Sequence, residues 1–436
     1  RKSWVWGAWI FLASAVTALA DSHTCSAGGG GDTAWSTPAN WGGSGPAGTD
    51  DALFSLSGTR AVTIGTGDQS ISNVTVTGTG AWTWGGSSKL NVSGVFNYNM
   101  DGGSSGDSMF GTILAGPGSV TVSGGYRLTL NNTANAYTGG TLVTAGWLVA
   151  PGASTIGTGP ITFRGGRFSG QNGGTSYTNA VILDGNAAYG WSNDGTTFTG
   201  PVTVMRDGSL TSSTWVSFGS GPAFIGNYAL RFTGPGSNTG ISRDNTGWAG
   251  SVIMDMDAGV NKLFVVGHAN ACGTSLTLRN GVLEPPSSSA ITLSSSTAIV
   301  LDGDISIGWL GGVNFNGPTT LTGNRTLSLN KDSTFAGTFN STNRFRLTKT
   351  GTGGSLYLSG NNSAYTGDWL VAQGTLCFSA TNAIGQGQVL AGTGAVAQLN
   401  VAANWTIPND LAGAGTINVG SGSADRTLTL AGGNAT

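Results

Sequence analysis

The sequence predicts an all-β fold, a parallel β-solenoid, and three observations carry that expectation. Short alternating apolar runs, such as Leu356-Tyr357-Leu358 and Leu376-Cys377-Phe378, lie between polar clusters such as Ser359-Gly360-Asn361-Asn362 and Tyr365-Thr366-Gly367. Alternation reads as strand and the clusters as turns. The stretch Gly351 to Leu399 also has a counterpart at Leu128 to Ile161. Counted from Tyr137 and Tyr365, a Gly falls 9 residues on (Gly146, Gly374), a Leu 11 on (Leu148, Leu376), an Ile 19 on (Ile156, Ile384) and a Gly 22 on (Gly159, Gly387). Composition completes the case: 76 of 436 residues are Gly and only 9% are charged, yet 38% are hydrophobic. That is too apolar for a disordered chain and too glycine-rich for an ordinary globular one.

Strands of roughly 4 to 6 residues cannot bury an apolar face alone, so the units must stack. Units of about 20 to 25 residues built from strands and tight turns suit coils that pair through their main chains. Leu, Val, Ile and Phe then fill the inside while Thr, Ser and Asn face water. Gly and Asn supply the corners, and Asn side chains can bond between coils. About 16 to 19 coils at ~4.8 Å each give a rod of roughly 80 to 90 Å.

The motif L-x-L-x-G-x-N, then Y-T-G-G-T-x-V-x-x-G-x-L, then a small-residue stretch ending I-G-x-G, resembles the autotransporter-associated β-strand repeat of bacterial surface and secreted proteins. Leu356 to Gly387 and Leu128 to Gly159 match it well, although Asn132 stands where the downstream copy has Gly360. A degenerate third copy runs from Asp244 to Gly273, with Trp248 for Tyr and Cys272 for Ile. Its aromatic-x-Gly corner recurs at Phe198-Thr199-Gly200, Phe315-Asn316-Gly317 and Phe335-Ala336-Gly337. The resemblance implies a right-handed parallel β-helix passenger, held at the cell surface or secreted.

Taken in order, Arg1-Lys2, an apolar run from Trp4 and the exit Ala18-Leu19-Ala20 read as a secretory signal peptide over 1–20. The run is short for a membrane span and is broken by Ser14 and Thr17. Residues 21–58 read as an N-terminal cap. Trp35, Asn40-Trp41, Gly45-Pro46, Asp51, Ala52 and Phe54 are similar to the segment that opens many autotransporter-repeat proteins. Trp35 and Trp41 are candidates for stacking on a sugar, but covering an open first coil is the simpler role. Residues 59–436 read as the β-helix, with loops at Gly102 to Asp107 and Gly170 to Ser176. Leu428 to Thr436 begins a further repeat and stops before its Tyr; the export machinery that the resemblance implies, through a translocator barrel or a sorting tail, would lie beyond Thr436.

Chemistry is sparsely signalled. A net charge of −2 without a basic cluster excludes an electrostatic footprint for nucleic acid. Cys25, Cys272 and Cys377 lack metal-ligand spacing and read as small buried apolar residues. Asp255 with Asp257, and Asp302 with Asp304, are i, i+2 pairs that share a strand face. They are candidates for glycoside chemistry, cation binding or ligand contact. Asp302-Gly303 reads better as a corner. His268 lies in Gly267-His268-Ala269, similar to the Gly-His-Gly of polygalacturonases, but the accompanying motifs of those enzymes are absent. Trp82, Trp84, Trp147, Trp191, Trp215, Trp309 and Trp369 read chiefly as core shielding. No cofactor, metal or nucleic acid is expected. The sequence favours a non-catalytic stalk or adhesin-like surface for host-surface or polysaccharide ligands. The rivals are a polysaccharide-degrading β-helix enzyme, with Arg279 or Lys262 beside the acids, and a non-catalytic carbohydrate-binding protein.

Overall fold

The computed structural model describes residues 21–26, 34–101, 107–171, 173–190, 195–236, 238–257, 263–340, 343–400, 404–420 and 428–430. The segment read as a signal peptide, most of the Gly102 to Asp107 loop, Trp191, Lys262 and the chain beyond Leu430 lie outside them. The fold is an all-β parallel solenoid of about 16 turns with almost no helix. At ~4.8 Å per turn its axis runs to roughly 75 to 80 Å.

Each turn visits three faces. The first face begins as nine strands from Ser22–Cys25 to Val202–Val204 and resumes as seven strands from Ile291–Leu293 to Thr416–Val419. The second holds fourteen strands from Arg60–Thr63 to Phe339–Asn340, then the pair Trp405–Ile407 and Leu428–Leu430. The third starts with Gln69–Ile71, Lys89–Val92 and Ile113–Ala115, and resumes as twelve strands from Thr175–Tyr177 to Leu411–Ala412. Among the described residues every strand ladder is parallel, for example Phe96 beside Val120 and Phe315 beside Phe335.

Alternation along each strand builds the core. Val95–Met100 buries Phe96, Tyr98 and Met100 while Asn97 and Asn99 turn outward. Aromatic rings then stack from turn to turn: Phe315 and Phe335 lie 4.4 Å apart, and Trp84 packs 5.3 Å from Phe110. Cys25, Cys272 and Cys377 are all buried. The loop expected at Gly170 to Ser176 is partly strand, because Thr175–Tyr177 pairs with Thr196 to Phe198 and founds the twelve-stranded sheet. Two glycines before it disguised that strand in the sequence.

The sequence repeat turns out to mark interruptions of these sheets. The second and third faces each skip their strand in two successive turns; the first face narrows to the single bridge Thr203–Ile225 and then skips two, and on every face a buried Asn occupies the first of the two skipped turns. Asn135 accepts from the Leu114 N–H (2.8 Å) in the turn before and donates to the Thr155 carbonyl (2.7 Å) in the turn after. Asn245 does the same between Phe224 (3.0 Å) and Ala271 (2.8 Å), and Asn362 between Phe339 (2.8 Å) and Ala383 (2.7 Å). The amide side chain thus stands in for a missing strand, satisfying one donor below and one acceptor above. Asn135 interrupts the third face, Asn245 the first and Asn362 the second, so successive copies step one face around the rod. The aromatic that follows each Asn, Tyr137, Trp248 or Tyr365, is buried in the vacated space. Gly146 and Gly374 hold the same place in their copies at φ 64° and 69°, a left-handed corner that favours Gly.

Candidate functional site

The acidic pairs singled out in the sequence sit on the outer surface near one edge of the second face. Asp255 lies on Ser251–Met256, and Asp257 follows just past the strand end, exposed on the same side. Asp255 accepts from Arg231 Nε at 3.0 Å and faces Arg279 at 3.8 Å. Arg279 continues to Asp302 at 2.8 Å, and Asp302 to Arg325 at 3.8 Å. The result is an alternating ladder, Arg231, Asp255, Arg279, Asp302, Arg325, climbing one turn per rung. Hydrogen bonding from Thr322 and then Arg279 holds the Asp302 carboxyl below its ordinary range. Carboxylates anchored between cations in this way suit cross-turn bracing better than proton transfer.

Trp35 and Trp41 are 2% and 7% exposed. The Trp41 indole N–H donates to the Trp35 carbonyl at 2.8 Å, and both rings pack on Phe54 at 6.1 and 5.4 Å. In this arrangement neither ring offers an open face to a ligand. His268 is half-exposed, with Nδ1 accepting from the Asn270 N–H at 3.2 Å and lying 3.6 Å from Asp244. Thr246 and Asn270 hold that carboxyl down at about 2. Among the described residues, Asp21, His23 and Asp50 bring three potential cation ligands within 4.8 Å of one another, with His23 Nε2 3.3 Å from Asp50.

The surface with most recognition chemistry lies on the third face, and it begins with the chain's only glutamate. Glu284 is 1% exposed, and its two carboxylate oxygens accept the backbone N–H groups of Trp309 and Leu310. Those two residues lead a turn entered through Gly308 at φ 77°. The turn pushes both side chains outward, so Trp309 and Leu310 are 50% and 48% exposed. A depression of about 420 Å³ opens on one side over Asp304, Ser306, Thr326, Ser328 and Asn330. On the other side one of about 380 Å³ is lined by Trp215, Val265, Pro285 and Pro286. Neither lining contains Lys or Arg.

In the sequence Trp309 reads only as one of many tryptophans, and Glu284 stands out only as the chain's single Glu. A lone Glu before Pro-Pro and a Gly-Trp-Leu-Gly-Gly turn, 25 residues apart, were the available signals. Their meeting is fixed by coil length. No family model, curated protein or solved structure matches the chain.

Proposed function

We propose that this chain is a secreted or cell-surface β-helical passenger of autotransporter type, working as a structural stalk with an adhesin-like interaction surface. The observation that carries this reading is the use to which the rod's outer charges are put. Asp255 and Asp302, the acids a hydrolase or lyase would enlist, are rungs of an inter-turn ion ladder. The repeat supports the same reading, since its Asn, aromatic and Gly positions all serve coil stacking. Binding is better served by a rigid rod than turnover, because stacked parallel coils hold surface groups at fixed spacings without a closing lid.

The test is to display the chain on bacteria through a translocator barrel. Cells carrying it should adhere to polysaccharide-coated or host-cell surfaces, and the purified chain should release no reducing ends from plant or algal polysaccharides. Sustained release of reducing ends, abolished by Asp255→Asn or Asp302→Asn in a folded variant, would establish the enzyme reading instead.

A further inference from the structure

We infer that the surface around Trp309 is a binding site for a neutral glycan chain, an assignment that rests on the interaction-surface reading and gives its ligand a chemical class. Three features of the site lead there. The first is the cost of holding Trp309 in place. A carboxylate buried to 1% exposure is among the least favourable groups to desolvate, and its described partners are two backbone N–H groups of one turn. Those bonds fix the Trp309 backbone, leaving a half-exposed indole on a rigid base. An amphipathic ring in that setting is suited to the apolar C–H face of a pyranose.

The second feature is the floor beside the ring. Ser306 and Ser328 are direct partners on adjacent strands, and Thr326 lies two residues before Ser328 on its strand. The outward hydroxyls of Ser306 and Ser328 stand at the ~4.8 Å strand spacing and that of Thr326 about 6.6 Å along the strand, a fixed set of donors and acceptors for sugar hydroxyls. Asp304 adds a carboxylate that already accepts the Thr326 N–H at 2.7 Å and retains acceptor capacity for a sugar O–H.

The third feature sets the charge of the ligand. Neither lining contains Lys or Arg, Asp304 is exposed at one end, and Lys331, which packs over Gly308 beside the turn, is followed by Asp332, so a uronate, sulfate or phosphate would meet repulsion and little counter-charge. A neutral chain meets neither. The second depression extends the site: Trp215 and Trp309 lie on one face four turns apart, about 19 Å along the axis. That separation gives room for several sugar units lying along the rod.

The decisive experiment is affinity electrophoresis of the purified chain through gels containing a soluble glucan, galactomannan or xylan, with polygalacturonate and alginate as anionic comparators. At least one neutral polymer should retard the chain and the anionic polymers should not. Trp309→Ala should weaken that retardation by about tenfold or more. Trp147→Ala, on the second face between Arg127 and Arg167, should leave it unchanged. Circular dichroism and the unfolding midpoint of Trp309→Ala should match the parent, since the side chain is outside the core; Trp309→Tyr should restore part of the binding. Stronger retardation by polygalacturonate, no retardation by any neutral polymer, or retardation indifferent to Trp309→Ala would overturn the assignment. So would concentration-dependent self-association that Trp309→Ala abolishes without any glycan effect. Failure here leaves adhesion by displayed cells free to succeed, whereas failed adhesion with intact glycan retardation would sink the display reading alone.

Discussion

Lys349 and Arg243 are both 1% exposed, and they solve the problem of a buried cation differently. Arg243 spreads its guanidinium over the carbonyls of Phe198 (2.7 Å), Gly200 (3.0 Å), Gly219 (3.0 Å) and Pro222 (2.9 Å), joining three successive turns. Burial lowers it only to about 10, so it remains a cation at neutral pH. Lys349 donates to the Gly351 carbonyl and to that of Gln373 at 3.1 Å. Burial lowers it from 10.5 to about 8, against the opposing influence of Asp332 and Cys377. Because the folded value lies below the unfolded one, the unfolded chain holds more protons between about 8 and 10.5, and stability contributed by this group rises with pH across that window. Below about 8 the destabilisation is present in full. Lys349→Met should therefore flatten the rise in urea midpoint between those pH values relative to the parent. Cys377, which burial raises from 9.0 to about 11, works the other way, its contribution falling with pH from about 9 upward, but it is common to both proteins. Parallel pH profiles would show that Lys349 is not the group responsible.

At the scale of the strand, the interruptions are the weak points and Asn is what closes them. Asn362→Ala would leave the Phe339 N–H and the Ala383 C=O buried without their partner, at roughly 2 to 5 kcal/mol for the pair. Asn362→Asp keeps the acceptor toward Phe339 but, once ionised, turns a negative oxygen toward the Ala383 carbonyl. It should be at least as damaging at neutral pH and milder in acid, where the protonated oxygen can donate. Hydrogen exchange at the Phe339 amide reports this locally: faster exchange in both variants is expected, and unchanged protection would remove the strand-surrogate role. The corner glycines act at the same scale. A Cβ on Gly337 would overlap the Gly317 carbonyl, and one on Gly317 that of Thr297, because the turns cross there at main-chain contact distance. This explains why the fragments Phe315-Asn316-Gly317 and Phe335-Ala336-Gly337 recur 20 residues apart.

Over the whole molecule, each turn touches mainly its two neighbours, so length should be adjustable by whole turns. Thr319 and Phe339 occupy the same place in adjacent turns. Deleting residues 319–338 joins Pro318 to Phe339 in register and should leave a folded rod shorter by ~4.8 Å. Deleting only 319–328 shifts every later strand onto the wrong face and should break the solenoid at that point. Circular dichroism with small-angle scattering distinguishes the two. Equal disruption by both deletions would mean that the turns are not independent units. No helix among the described residues is long and apolar enough to cross a membrane.

The sequence by itself determined the class of fold and much of the core. Alternation along Val95–Met100 or Ser355–Leu358 is a local property, and the side-chain period of two assigns inside and outside without knowledge of neighbours. It also exposed the repeat, since Tyr137 and Tyr365, or Ile156 and Ile384, must be equally buried to do equal work. Only the tertiary structure decided what that repeat is for, because whether Asn362 lies in a strand or in place of one depends on which residues the turns above and below bring to it. The same holds for Glu284 and Trp309, and for Asp255 between Arg231 and Arg279. These partners are separated by 24 or 25 residues, a spacing that becomes contact only when the length of each turn, set by its corners and loops, is known.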